Sequence, residues 1–174
     1  MGNEERNLRE GHGDCSLSTL EGEARMPEKT LIIVDMQPVF RASREPNTII
    51  AVTHEIFMAK QNNHAILIVE YARSGKSHTG FDHLLKGYPH KSRIKKWDDD
   101  GSKEVIRALI RRKFPTNLLR VCGVNTDCCV FETVTGLLCR LGKTKIEIVK
   151  KACNSESTDF DWRGYYKHPN LRLV

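Results

Sequence analysis

No stretch of this chain approaches the roughly 20 consecutive apolar residues that a membrane-spanning helix requires, so no such span is expected. The amino-terminal residues lack an apolar segment behind a basic start, which argues against a secretory signal there and makes the cytoplasm the expected compartment. Aromatic residues make up only 7% of the sequence and do not interleave with its basic segments, so no aromatic-rich nucleic-acid recognition motif is present. The redox spacing Cys-x-x-Cys is missing as well. Internal repeats and low-complexity segments are absent, and 174 residues is the length of one domain whose core needs no disulfide or metal staple.

Six cysteines (Cys15, Cys122, Cys128, Cys129, Cys139 and Cys153) fall at irregular spacings, the pattern of reduced thiols serving mostly as small core residues. The formal charge of +6 hides an asymmetry: residues 1–25 hold six acids and three bases, leaving 25 bases against 16 acids in the remainder. A basic balance suits either an anionic partner or a solvated surface, and the spread of the bases over several segments favours the second. Residues 1–25 are polar, dotted with glycine and without sustained hydrophobic periodicity. They read as a disordered tail, and residues 26–174 as the folded domain.

From Thr30 onward, short β-branched runs alternate with longer amphipathic ones. Strands are expected at residues 31–34, 65–70, 118–122 and 145–149, and helices at 48–60, 103–112 and 130–141. Near-continuous apolar strands separated by helices specify an α/β fold: a doubly wound parallel sheet with helices on both faces, three-layered and Rossmann-like. Ligands of such sheets sit beyond the carboxyl ends of the strands. That directs attention to Asp35 after the first strand, to Lys95 and Lys96 after Ile94, and to residues 125–129.

An acid at the end of an apolar strand is hydrogen-bonded, paired or functional, because an unpaired buried carboxylate is costly. Asp35 as a turn cap and Asp35 as a catalytic group weigh about equally on this ground alone. Most lysines are exposed, but two-residue alternation puts Lys96 on the side of Ile94. A cysteine in the first turn of a helix gains from the dipole and the free N–H groups, which favour thiolate. Periodicity does not separate Cys128 from Cys129. A carboxylate to take the thiol proton, a cation to hold that carboxylate and a cysteine at a helix start form a coherent set for covalent catalysis.

The segments Leu31-Ile32-Ile33-Val34-Asp35-Met36-Gln37 and Gly123-Val124-Asn125-Thr126-Asp127-Cys128-Cys129-Val130-Phe131-Glu132-Thr133 resemble the two signature segments of the isochorismatase-like cysteine hydrolases, over residues 30 to about 155. The resemblance implies Cys129 as nucleophile, Asp35 as its base and a lysine of the 95–96 pair, on an ungapped match Lys96, as third member. It makes Cys128 a bystander on the far side of the turn. Phe40 matches an aromatic position that lines the substrate pocket. A cis Val124–Asn125 peptide is implied, with the amides of Asn125 and Cys129 as the oxyanion hole. The implied reaction is hydrolysis of a C–N bond, amide or ureido, in a small molecule through a Cys129 thioester.

Departures from the family pattern narrow this. The Asp-x-His segment by which nicotinamidases of the family bind metal does not occur, and the remaining histidines lack ligand spacing, so no metal and no cofactor is expected. Asp98-Asp99-Asp100 replaces a more aromatic stretch and reads as a solvated acidic turn. A small-molecule substrate is the expected partner, without nucleic acid or membrane, and homo-oligomerisation is implied by the resemblance alone. The rival expectation is a catalytically silent relative that binds without turnover.

Overall fold

The first expected strand carries the argument for the whole architecture. In the computed structural model, which describes residues 26–157, 160–165 and 168–174, every residue of β1 (Thr30–Val34) is buried. Alternation sends Leu31 and Ile33 into one layer, with Val52, Ile56 and Ala59 of α1 (Pro46–Gln61) and Phe81 of α2 (Thr79–Leu84). Ile32 and Val34 enter the opposite layer, with Val105 and Leu109 of α3 (Ser102–Arg112) and Val134 and Leu137 of α4 (Phe131–Arg140). A strand apolar on both faces is thereby explained by helices on both faces. Each such side chain contributes about 1.5–3 kcal/mol through burial. Residues 1–25, expected as a tail, lie outside the described residues.

Among the described residues the sheet has six strands in the order β3-β2-β1-β4-β5-β6, all parallel. The expected strands are β1, β2 (Ala65–Tyr71), β4 (Leu118–Gly123) and β5 (Lys145–Cys153). Two further strands, β3 (Lys91–Lys96) and β6 (Leu171–Leu173), lie at the two edges, and α2 is likewise additional to the expected helices. Strand β3 has the sequence KSRIKK and turns alternate residues outward, so it carries no apolar run. Helix α1 starts earlier than expected because Pro46 follows the extended Glu45, and a missing N–H costs nothing in a first turn. The expected helix 130–141 becomes a π-helical turn, Thr126–Val130, leading into α4.

The three-layer doubly wound architecture is as expected, and its strand order reverses between β1 and β4. Gly123 makes the join possible. Its φ is +122°, and a Cβ there would stand 2.0 Å from the Val34 carbonyl oxygen, so only glycine lets the end of β4 lie this close to β1. The loops carrying Asp35 and the cysteine pair therefore leave the sheet side by side.

Candidate active site

Asp35 is the first residue after β1. Its φ of +49° lies in the left-handed region that aspartate tolerates better than most residues, and its amide donates to the Val69 carbonyl at 2.9 Å. Gln37 explains the other half of the Asp-x-Gln segment. Its Nε2 donates to the carbonyls of Tyr71 (2.9 Å) and Gly75 (2.8 Å), and its Oε1 accepts from the Tyr71 amide at 2.7 Å. The loop after β1 is thus tied to the loop after β2.

Lys96 ends β3, directly beside Tyr71 of β2 in the ladder. Its side chain crosses the end of β2 with Nζ 4.7 Å from the Tyr71 ring centroid, a cation–π contact, and reaches Asp35 Oδ2 at 2.9 Å. Lys95 points outward, which resolves the pair. The ammonium also donates to the carbonyls of Asp98 (3.0 Å) and Asp99 (3.3 Å). The ion pair is close, yet neither Asp35 oxygen has a partner in hydrogen-bond geometry among the described residues. Asp35 and Lys96 both have no solvent exposure, and Cys129 retains 5%.

These surroundings set the protonation states. Burial raises the Asp35 pKa above its ordinary 3.8, with the Lys96 charge pulling the other way. Burial alone would lower Lys96, but the Asp35 carboxylate outweighs it and the ammonium is held. Burial, followed by the negative charge of Asp35, raises the Cys129 thiol despite Lys96. The Cys129 thiol thus has desolvation working against the thiolate that a helix-start dipole, worth about 0.3–1 kcal/mol, favours. It stands beside a carboxylate with unused acceptor capacity.

The Val124–Asn125 peptide is cis. Asn125 precedes the π-helical turn and its carbonyl accepts from the amides of Cys128 (3.2 Å) and Val130 (3.0 Å), while its buried side-chain Oδ1 has no partner among the described residues. Signature residues not singled out from the sequence hold this turn. Thr126 Oγ1 donates to the Asn154 carbonyl at 2.7 Å, and Thr133 Oγ1 accepts from the Gly101 amide at 3.0 Å and donates to the Asp99 carbonyl at 3.3 Å.

The acidic triplet is the expected solvated turn on its outer side, with Asp98 and Asp99 exposed and Asp100 half-buried, but its backbone faces inward: Asp98 and Asp99 give their carbonyls to Lys96, and Asp100 Oδ1 accepts from the Ser102 amide at the start of α3 at 2.8 Å. Asp99 Oδ1 further lies 3.3 Å from Cys129 Sγ and accepts from that thiol. The placement of Cys128 on the far side of the turn is corrected, since its half-buried sulfur lies within 4.8 Å of both Cys129 Sγ and the Asp99 carboxylate. Phe40 is half-buried and packs against the α1-side cluster, whereas Cys129 belongs to the α3–α4 side. Of the other described cysteines, Cys122 is buried, Cys153 half-buried and Cys139 exposed.

A cavity of about 240 Å³ lies nearer the opposite ends of the strands, lined by Lys29, His54, Glu55, Arg120 and Glu147 among others. Arg120 there pairs with Glu55 and Glu147, whereas the carboxylate with open acceptor capacity and the thiol lie at Asp35 and Cys129, which makes the latter the candidate site.

Comparison with protein-family models gives no match, and neither does comparison with curated proteins. Solved structures do match. A nicotinamidase from Staphylococcus aureus is 23% identical over 75% of this chain and 84% of its own, with a TM-score of 0.62. The MAR1 ribonuclease of Caenorhabditis elegans is 18% identical over 78% of this chain and 70% of its own, with a TM-score of 0.65. An isochorismatase from Pseudomonas putida is 16% identical over 80% of this chain and 78% of its own, with a TM-score of 0.61. Identities of this size speak for fold and not for activity. On that ground the chain has the isochorismatase-like fold.

Proposed function

We propose that this protein is a cysteine hydrolase that cleaves a C–N bond, amide or ureido, of a small molecule through a thioester on Cys129. The observation that carries the reading is the convergence of Asp35, Lys96 and Cys129, which leave the ends of three different strands and meet with the lysine 2.9 Å from the carboxylate. Asp35 takes the thiol proton as sulfur attacks the carbonyl carbon, and Lys96 holds the carboxylate charged. The amides of Asn125 and Cys129 receive the oxyanion. Asp35 returns the proton to the leaving nitrogen; water, deprotonated by the same carboxylate, then hydrolyses the thioester. The half-buried Phe40 is assigned to the substrate pocket. A metal ion has no step in this scheme.

The test is ammonia or amine release from a panel of small amides and ureides by wild type, Cys129→Ala and Cys128→Ala, with RNA as a control because a ribonuclease shares the fold. Activity lost in Cys129→Ala and kept in Cys128→Ala is the expected result. Turnover surviving Cys129→Ala refutes the mechanism. Cys129 that alkylates no faster than an ordinary buried thiol, with silence across the panel, favours a relative that binds without turnover.

A further inference from the structure

The sulfur atoms of Cys128 and Cys129 and a carboxylate oxygen of Asp99 lie within 4.8 Å of one another. The Asp99 Oδ1 to Cys129 Sγ separation is 3.3 Å. The three donors come from two segments, the turn after β3 and the π-helical turn after β4, each anchored independently by Lys96, Thr133 and Asn125. Zinc–sulfur bonds of about 2.3 Å and zinc–oxygen bonds of about 2.1 Å place the donors of one tetrahedral ion roughly 3.6–3.8 Å apart. The three donors, all within 4.8 Å of one another, close to that spacing when an ion is held. Exposure rises from Cys129 through Cys128 to Asp99, so an ion has an approach from solvent. Behind the cluster, the fully buried Asp35 carboxylate, ion-paired with Lys96 at 2.9 Å, adds negative charge beside the Cys129 sulfur.

We propose that Asp99, Cys128 and Cys129 form a binding site for a soft divalent cation of the zinc and cadmium class. Binding replaces two S–H bonds by two metal–sulfur bonds and releases both protons to solvent, with Asp99 as third ligand and water in the fourth position. No electron changes hands. Thiolates select such ions over magnesium or calcium. Because the ligand set contains no histidine, the histidine spacing that argues against metal in the sequence does not bear on it. Occupancy ties up the Cys129 sulfur and so acts as a brake on the proposed hydrolysis. That braking role rests on the hydrolase reading; the binding does not.

The experiment is titration of the reduced full-length protein with cadmium chloride, followed by the ultraviolet thiolate-to-cadmium charge-transfer absorption. Wild type is compared with Cys128→Ser, Cys129→Ser, Asp99→Asn and the exposed-thiol control Cys139→Ser, each checked for folding by circular dichroism. Wild type and Cys139→Ser are expected to bind a single tight ion with equal absorption. Each site cysteine variant loses about half of that absorption, and all three site variants lose at least about tenfold in affinity. Wild-type affinity in Cys128→Ser or Asp99→Asn, or absorption that disappears in Cys139→Ser, overturns the site. Cadmium binding as expected in a chain that cleaves nothing counts against the hydrolase reading alone. Turnover indifferent to cadmium in a chain without the absorption counts against the cation site alone.

Discussion

Two charged clusters are built into opposite ends of this sheet, and the more deeply buried one is the less satisfied. Toward the amino ends of the strands, Arg120 of β4 donates through Nε and Nη2 to the two oxygens of Glu55 at 2.6 and 3.1 Å and through Nη1 to Glu147 at 3.0 Å. The Arg120 side chain keeps 31% exposure, and its two carboxylate partners are paired in good geometry. At the carboxyl ends, the Lys96 and Asp35 side chains keep 0% and 1%, yet the carboxylate makes no hydrogen bond in good geometry. Burial of charge generally opposes stability unless every lone pair is used. Of the two clusters, the one at Asp35, paired with Lys96 but with acceptor capacity still open, is the better candidate for a ligand or a reacting proton.

The comparison breaks most sharply at Asp35. Asp35→Asn keeps the shape but cannot take a proton, and kcat/KM for ammonia release should fall by about 10²–10⁴-fold, whereas Glu55→Gln should leave it unchanged. Lys96→Met comes next. It leaves a buried carboxylate without its cation, and urea denaturation should report a loss of about 3–5 kcal/mol. The sign of its pH dependence follows from the raised Lys96 pKa. The pair's contribution is complete below the unfolded value of 10.5 and is lost as pH rises through the folded one, so the gap between wild type and Lys96→Met closes in alkali. Asp35→Asn combined with Lys96→Met should cost less than the sum of the single changes, because the pair is removed together.

How much of this was legible follows the same division between satisfied and open regions. Strands β1, β2 and β4 are readable because most of both faces is buried beneath largely apolar sequences, and β5 because Ile146, Ile148 and Val149 supply buried apolar positions between charged ones. Strand β3 is an edge whose buried positions are Ser92, Ile94 and Lys96, so periodicity offers a single apolar point, and β6 is only three residues long. Asp35, Lys96 and Cys129 could be found because each sits at or just beyond the end of a strand. Asp99 and Cys128 could not, because their placement depends on the path of a loop. Three consecutive aspartates read as a solvated turn, and the side chains of Asp98 and Asp99 are exposed, but sequence gives no hint that the Lys96 ammonium draws their carbonyls inward. The depth of the thiol was hidden for a related reason: helix position is visible in sequence, but the burial that opposes the thiolate is not.

A smaller effect tests the satisfied cluster. Arg120→Met removes three hydrogen bonds from a partly exposed site and should cost about 1–3 kcal/mol in urea denaturation while leaving turnover intact, the reverse of Asp35→Asn. Equal loss of rate in both variants would erase the distinction between the two ends of the sheet.

The finest test uses Asp99, whose negative charge adds to the rise of the Asp35 pKa after burial has set it. The base must be ionised to accept the thiol proton, so kcat/KM should fall as pH drops through the Asp35 pKa, at a value above the ordinary 3.8. Removing the neighbouring charge lowers that pKa. In protein treated with a chelator, Asp99→Asn should therefore move the acid limb of the pH–rate profile to lower pH, while Glu147→Gln, in the other cluster, leaves it in place. A shift to higher pH would mean that Asp99 acts on the reaction through its contact with the Cys129 sulfur rather than through its field on Asp35.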